Sequence, residues 1–205
     1  ETLTRAVREL TGFELLGFWD NGLRHFTNRL RPVRTPSDCT GMRVRLQPNA
    51  YHEAMIRAWG GTPVPVELSQ GIKLISRGEV DAQENPLANT VAYGVDKVHR
   101  YVTMTGHLYG TRGLFANRRI LEALPTDLRE LVGYAAAAAI SHQRLVARET
   151  EQRLRSQLEG AGLEFVDPTP DERAVFQKAS RPAIDLAREE LGDELFSLAE
   201  EGGSG

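Results

Sequence analysis

Two arginines and one asparagine, Arg24, Arg45 and Asn85, have side chains of the types that bind a small anion. Arg45 lies near the end of a segment in which apolar residues alternate with arginines, a period of two that predicts a strand. In sheets built from alternating strands and helices, ligands bind at the carboxyl ends of the strands. Two guanidinium groups that converge on one cleft suit a carboxylate, because each planar fork matches both of its oxygens. A surface or salt-bridged arginine and a turn asparagine are the alternative interpretations of these residues.

Residue types that carry catalysis do not form a known arrangement in this sequence. There is no Gly-x-Ser-x-Gly motif, and the pair Gly60-Gly61 lacks the Gly-Lys-Ser/Thr ending of a phosphate-binding loop. The five histidines lack the spacing of a zinc site, and the single Cys39 has no basic neighbour that would activate its thiol. The sequence thus predicts no enzyme, no metal site and no cofactor. An enzyme that uses Glu67 or Glu84 as a general base is the alternative.

The composition favours a globular chain over a membrane or nucleic-acid protein. The 205 residues are 40% apolar with a net charge of −3, enough to bury a core in one domain or two small ones. No apolar stretch approaches the ~20 residues that span a membrane. Residues 1–50 hold eight arginines against five acids, but the chain as a whole is not basic. Nucleic acid, which requires an extended basic surface, is therefore not predicted as a partner.

The elements that must position these residues alternate between strands and helices in the first half of the chain. Strands are predicted over residues 42–46, 63–66 and 80–84, with helices capped by Asn49 and Ser69 between them. Such alternation indicates an α/β sheet. Further extended segments are predicted at residues 13–19, 24–30, 98–105 and 108–116, with a turn at residues 20–22.

The second half is predicted to be mainly helical. A proline-led start at residue 125 and glycines at 160 and 162 bound one long helix, which would measure ~50 Å at 1.5 Å per residue. This is longer than a small domain is wide, so we expect the helix to cross between two lobes. A short strand at residues 163–166 and an acidic helical segment at 171–198 follow it.

The two ends of the chain carry no fold prediction. The sequence begins with Glu1, and no basic start followed by an apolar run resembles a signal peptide there. We therefore expect a mature product or a fragment. Residues 202–205, Gly-Gly-Ser-Gly, are typical of a flexible linker or tag.

Four short motifs follow one another with regular gaps in the first half. They read FELLGFWDNGLRHFTN at residues 13–28, RPVRTPSD and then GMRVR at 31–45, GGTPVP at 60–65 and GEVDAQENPL at 78–87. In this order and spacing they resemble the extracytoplasmic solute-binding subunits of TRAP transporters. The similarity is close from residue 12 to about 107 and looser through the long helix to 165.

The resemblance implies both a fold and a function. In that family two α/β lobes close over an organic acid, and a long helix is braced across both. The same two-lobed periplasmic binding protein fold is implied here, with an incomplete first lobe. The chief carboxylate-binding arginine of the family falls on Arg45, a second arginine on Arg24 and a hydrogen-bonding asparagine on Asn85. A periplasmic protein is implied, which catalyses no reaction and delivers its acid to the TRAP membrane permease subunits.

Some residues depart from the family pattern near the expected ligand. After Pro-x-Pro the family usually has Met-x-Phe, then Ser-Glu and a Tyr, whereas residues 66–72 here read VELSQGI. We expect Leu68 to replace an aromatic wall of the pocket, and Glu67 to bring an acid close to the cleft. Both are therefore candidate ligand-binding residues. The usual Asp-Gly before Gln-Glu-Asn-Pro is Asp81-Ala82, and which acid is bound stays open.

The resemblance also divides the chain into lobes, because family members have a further N-terminal segment that builds most of the first lobe. It implies a first-lobe remnant at residues 1–21, the second lobe at 22–108, a first-lobe strand and the start of the bridging helix at 109–149, the end of that helix and the C-terminal helices on the second lobe at 150–201, and a linker at 202–205. With half of the cleft missing, we expect this chain alone to bind its ligand weakly. The alternative is a fragment that serves only as a structural or interaction module and self-associates through the surface left by the missing lobe.

Overall fold

Six strands form one sheet in the computed structural model, which describes residues 2–193 and 196–197. The strands are β1 (Phe13–Asn28), β2 (Arg43–Leu46), β3 (Thr62–Pro65), β4 (Ala82–Asn85), β5 (Tyr101–Asn117) and β6 (Glu164–Val166). Their order across the sheet is β3-β2-β4-β1-β5-β6. Strand β2 is parallel to β3 and β4, β1 is antiparallel to β4, and β5 is parallel to β6. The predicted alternation therefore builds the parallel part of a mixed sheet, which confirms the α/β class.

Eight helices accompany this sheet within the described residues. They are α1 (Thr2–Thr11), α2 (Ala50–Ala58), α3 (Leu68–Ser76), α4 (Leu87–Ala92), α5 (Arg118–Ala123), α6 (Thr126–Gly160), α7 (Pro170–Ala179) and α8 (Arg181–Leu191). Helix α6 has the predicted bounds and, with 35 residues, is about 52 Å long. Over the same described ranges, no helix combines the length and the apolar character needed to cross a membrane.

The chain forms two compact units. Among the described residues, unit 1 consists of those up to 23 and of 109–154, and unit 2 consists of 24–108 and of those from 155 onward. Strands β1 and β5 and helix α6 each contribute residues to both units. All five residues that the sequence analysis assigns to the ligand site belong to unit 2.

In unit 2 the sheet is covered on both faces. Along β2, Val44 and Leu46 belong to the larger apolar cluster, whereas Arg45 points to the opposite face because side chains alternate along a strand. Val64, which pairs with Arg45, shares that opposite face and packs against a smaller cluster that contains Ile75 of α3. Burial on both faces is what parallel strands require. Arg45 therefore lies in the layer between the sheet and α3.

Trp59 is the largest fully buried side chain of unit 2. Its ring makes edge contacts with Phe26, Phe176 and His107 at centroid distances of 6.2, 4.9 and 5.3 Å. Its Nε1 donates a hydrogen bond to Ser180 Oγ at 2.9 Å, which satisfies the indole N–H inside the core. Burial of such a ring contributes about 2–3 kcal/mol. The same ring that fills the core thus also supports His107.

In unit 1 the middle of strand β1 is bonded to helix α6. The backbone N–H of Asp20 donates to Gln143 Oε1, and the Asp20 carbonyl accepts from Gln143 Nε2, both at 2.9 Å. Gly17 permits this close approach, because a Cβ there would lie 2.5 Å from Ile140 Cδ1 and its φ is +150°. The predicted turn at residues 20–22 is therefore wrong. The amide of Gln143 satisfies the backbone groups that a turn would otherwise bond, and the strand continues.

Other predicted boundaries also shift. The segments predicted at residues 98–105 and 108–116 form the single strand β5. Helix α3 begins two residues earlier than expected, with Glu67 rather than Ser69 at its N-cap and no side-chain capping bond. The first helical bond instead runs from the Gly71 N–H to the Glu67 carbonyl at 2.8 Å.

The acidic segment predicted at residues 171–198 is not one helix. It divides into α7 and α8 at Ser180, because Pro182 lies in the first turn of α8 and has no N–H to continue the preceding helix. Residues 194, 195 and 198 of this segment, and the predicted linker at 202–205, lie outside the described residues. Helix α4, directly after Pro86, was not predicted.

Candidate functional site

The carboxyl ends of three parallel strands, β2, β3 and β4, lie at one edge of the sheet in unit 2. Arg45 on β2 pairs with Gln83 on β4, and Asn85 ends β4. Strand β1 runs antiparallel to β4 and pairs His25 with Asn85, which brings Arg24 beside the same strand end. The topology therefore gathers Arg24, Arg45 and Asn85 from three adjacent strands.

Arg45 is almost completely buried, with 2% of its surface exposed, yet it has few partners. Its Nη2 donates to the Val66 carbonyl at 3.0 Å, while its buried Nε has no hydrogen-bond partner among the described residues. Burial lowers the pKa of this guanidinium from its ordinary value, against the opposing effect of the Glu84 charge. An arginine remains a cation at neutral pH even so. A buried cation that lacks a bonded counter-ion favours the binding of an anion.

Arg24 differs from Arg45 because its charge is compensated inside the protein. Its Nε and Nη2 donate to the two carboxylate oxygens of Glu84, and Nη2 also donates to the Glu84 carbonyl at 2.7 Å. The Glu84 side chain is fully buried. Such a bidentate pair is among the strongest hydrogen-bonded ion pairs. Of the two arginines that the sequence analysis selects, Arg45 alone therefore has an uncompensated charge.

Two histidines also contact the Glu84 carboxylate. His107 Nε2 lies 3.3 Å from Oε2, and His52 Nδ1 lies 3.6 Å from Oε1. Asn49 caps helix α2 as predicted and accepts from the His52 backbone N–H at 3.1 Å, which holds this first turn in place. Burial alone would raise the pKa of Glu84, but the contacts from both histidines and from Arg24 outweigh it and hold the pKa well below its usual range. Glu84 is therefore ionised at neutral pH.

His107 is held by contacts on three sides. Its Nδ1 lies 2.6 Å from Thr105 Oγ1, its Nε2 faces Glu84, and its ring meets Trp59 edge-on. Burial lowers the pKa of His107, so its imidazole is neutral at pH 7. In that state the Thr105 hydroxyl donates to Nδ1 and the Nε2–H group donates to Glu84. His107 thus positions the carboxylate without adding charge to the site.

Asn85 is oriented by a chain of amides and hydroxyls. Its Nδ2 donates to Gln83 Oε1 at 2.5 Å, and its Oδ1 accepts from Asn89 Nδ2 at 3.3 Å. Gln83 in turn donates to the hydroxyls of Thr27 and Thr90, both at 3.1 Å. An amide bonded at both ends has one orientation. Since Nδ2 carries two hydrogens, Asn85 can still donate one N–H to a ligand.

Leu68 and Glu67 lie at the start of α3, directly after the strand end at β3. Leu68 is half-buried and Glu67 is exposed. The negative charge of Glu67 acts on the Arg45 guanidinium, with a smaller effect than that of Glu84. The structure thus puts an exposed acid near the uncompensated cation.

The sequence did not predict the roles of Glu84 and His107 in this site. From the sequence, Glu84 is a candidate only as the general base of an alternative enzyme, and the histidines are candidates only for a zinc site, whose spacing they lack. A charged residue inside the short strand β4, in which all four side chains are buried, was the available signal, because a buried carboxylate requires a cationic partner. No comparable signal marks His107, whose contact with Glu84 spans 23 positions of sequence.

A separate cavity of about 480 Å³ lies in unit 2 between α2, β5, α7 and α8. His52 and His107 form part of its wall, together with apolar side chains such as Met55, Phe176 and Ile184. None of the five sequence-predicted site residues lines it. The two histidines therefore separate this apolar space from the Arg24–Glu84 ion pair.

Comparison with known proteins identifies the family. Residues 1–190 match the sequence profile of DctP, described as bacterial extracellular solute-binding protein, family 7. The C4-dicarboxylate-binding periplasmic protein DctP of Rhodobacter capsulatus is 28% identical over 190 residues, which are 92% of this chain and 57% of that protein. The chain spans little more than half the length of the curated relatives it matches.

Two solved structures share the fold. A TRAP periplasmic solute-binding protein from Ralstonia eutropha with bound (S)-2-acetolactate has a TM-score of 0.91 and 25% identity, covering 98% of this chain and 65% of that one. Another from Sulfitobacter sp. with bound β-D-galacturonate has a TM-score of 0.85 and 27% identity, covering 92% and 62%.

These similarities confirm the predicted resemblance to TRAP solute-binding proteins and to their two-lobed fold. The relatives are periplasmic, as expected, and the family is one of transport proteins rather than enzymes. Because the family profile covers all but the last fifteen residues, this chain belongs to the DctP family of bacterial extracellular solute-binding proteins.

Proposed function

We propose that this chain is part of the solute-binding subunit of a TRAP-type secondary transporter. The protein binds a small organic acid by its carboxylate in the periplasm and delivers it to the membrane subunits. One observation carries the proposal: the Arg45 guanidinium is buried at the carboxyl edge of the sheet, and its Nε has no bonding partner among the described residues. The named ligands of the relatives, a C4-dicarboxylate, acetolactate and galacturonate, all have carboxylates.

The site residues have different roles in this proposal. Arg45 binds the carboxylate, and Asn85 donates one N–H that fixes its orientation. Arg24 neutralises the charge of the buried Glu84 carboxylate, so it offers the ligand no second uncompensated charge. Leu68 and Glu67 shape the part of the pocket that meets the rest of the acid. No bond is made or broken, because the function requires only binding and release.

We also propose that the two units correspond to parts of two lobes. The division at residues 23, 108 and 154 supports a second lobe at 22–108 with 150–201, and first-lobe segments at 1–21 and 109–149. Because the chain spans only part of the length of its relatives, we expect it alone to bind the acid weakly. The same chain extended upstream to the length of its relatives should bind markedly more tightly, and equal affinity of the two would contradict this assignment.

The binding proposal is tested by titration calorimetry with succinate, D-galacturonate and (S)-2-acetolactate on the wild type, Arg45→Ala and the control Arg77→Ala. Arg77 is exposed and outside the site. A charge-assisted hydrogen bond contributes about 1.5–3 kcal/mol, so Arg45→Ala should weaken the best probe about 10- to 100-fold and Arg77→Ala should not. Equal affinities of wild type and Arg45→Ala for every acid that binds would contradict the proposal.

Self-association through unit 1 is a further part of this proposal. Large apolar side chains of this unit are exposed, among them Leu10, Ile120, Leu131 and Tyr134. Exposed apolar surfaces of this kind are typical of regions that pack against another part of a protein or against a partner. Sedimentation velocity should therefore show a mass that rises with concentration. Leu131→Ser with Tyr134→Ser should reduce it, whereas Val175→Ser in unit 2 should not, and a constant monomer mass would contradict association.

A further inference from the structure

Gly71 lies in the interior of helix α3, where glycine is unfavourable. It is the fourth of nine helical residues, is buried, and does not have the positive φ that would require glycine. Apart from proline, glycine is the residue least suited to a helix interior. Its presence here therefore needs a reason other than backbone conformation.

The reason is the close approach of Arg45 to the helix. A Cβ at position 71 would lie 2.9 Å from Arg45 Cδ and 3.0 Å from Cγ, and it would overlap Nε still more closely. Real Cβ contacts are essentially never shorter than 3.0 Å, so any larger residue would displace the arginine. The Arg45 side chain thus crosses α3 at the one position that has no side chain, and beyond it Nη2 reaches the Val66 carbonyl.

We propose that Gly71 is a positioning residue for the ligand site. By leaving space against α3, it lets the Arg45 guanidinium lie where the Val66 carbonyl holds it at the carboxyl edge of the sheet. The proposal rests on Arg45 as the carboxylate-binding group, but the position of Arg45 itself can be tested without any ligand. Gly71 does not itself contact the organic acid ligand in this proposal, and it acts only through the position of Arg45.

A double-mutant cycle in urea unfolding separates positioning from helix propensity. Gly71→Ala should lower the unfolding midpoint when Arg45 is present, because the buried guanidinium loses its place. In the Arg45→Ala background the same change should leave the midpoint unchanged or raise it, since alanine then only favours the helix. The control is Gly133→Ala in α6, also helical, where a Cβ would meet nothing within 4 Å. It should have the same small effect in both backgrounds.

The Arg45 Nε–H signal in a ¹H–¹⁵N spectrum, assigned by its loss in Arg45→Ala, should shift in Gly71→Ala and not in Gly133→Ala. Binding of D-galacturonate or succinate, whichever the wild type binds more tightly, should weaken about tenfold in Gly71→Ala. Additive midpoints together with an unmoved Nε–H signal would overturn the proposal. If the wild type binds none of the three acids, including (S)-2-acetolactate, the proposed binding function is contradicted, while the double-mutant cycle and the spectrum still decide the role of Gly71.

Discussion

Arg24 on β1 and Glu84 on β4 form a bidentate ion pair across two antiparallel strands, and β2, which carries Arg45, lies on the other side of β4. The pair is 60 residues apart in sequence and is buried on both sides. This pair distinguishes Arg24 from Arg45, for which the sequence alone predicts the same role. Arg24 has its counter-ion within the protein, whereas in our proposal the counter-ion of Arg45 is the carboxylate of the ligand.

Removal of the Glu84 carboxylate should destabilise the protein strongly. Glu84→Ala leaves the Arg24 guanidinium buried without a counter-ion, which costs about 3–5 kcal/mol. Urea unfolding should show this loss, with Glu79→Gln at an exposed position as a control that changes little. Glu84→Ala with the stability of the control would mean that the ion pair contributes nothing.

Stability should fall as the pH is lowered from 7 to 5. Burial lowers the pKa of His25 and of His99 to about 4, against about 6.5 in the unfolded chain. Between these values the unfolded chain takes up protons that the native protein does not, so the native state loses about 1–2 kcal/mol per histidine by pH 5. Unfolding at several pH values should show a shallower slope for His99→Gln and the wild-type slope for the exposed His142→Gln. A slope unchanged in His99→Gln would contradict this assignment.

Neutralising Glu67 should strengthen acid binding. This exposed carboxylate opposes the approach of an anion to Arg45, so Glu67→Gln should raise affinity about two- to threefold, with a larger effect at low salt. Calorimetry with succinate checks this, and Glu189→Gln on the exposed part of α8 serves as the control. Weaker binding by Glu67→Gln would instead indicate that Glu67 contacts a donor group of the ligand.

Cys39 should react only when the protein unfolds. The thiol is completely buried, and burial, together with the charge on Asp38, raises its pKa to about 12. A thiol reagent at pH 8 should therefore modify the native chain very slowly and the urea-denatured chain at once. Rapid modification of the native protein would show that this part of unit 2 opens easily.

The sequence predicted the elements whose signals are local. Asn49 caps α2 as expected because its side chain bonds the first turn of its own helix, and α6 follows directly from its start and stop residues. The turn at residues 20–22 failed for the opposite reason. Whether residues 20–22 form a turn or continue the strand depends on the bonds from Gln143, more than a hundred residues away, and no local pattern reveals them.

The site shows the same limit. Strand alternation suffices to put Arg45 on the face opposite Val44, and the family motif brings Asn85 to a strand end. Whether the charge of an arginine is neutralised by a counter-ion within the protein depends on contacts that only the folded chain creates, such as that of Arg24 with Glu84. The importance of Gly71 is likewise invisible until Arg45 is seen to cross it.

The ion pair of Arg24 with Glu84 also discriminates among ways of aligning β1 with β4. A slip of one residue would turn every side chain of β1 to the other face. Both charges would then be buried apart, each without a counter-ion, at a cost of several kcal/mol. Misaligned folding intermediates should therefore be less stable, relative to the native state, than they would be with an apolar pair at these positions. Fidelity of folding, rather than affinity, is what the pair contributes before any ligand arrives.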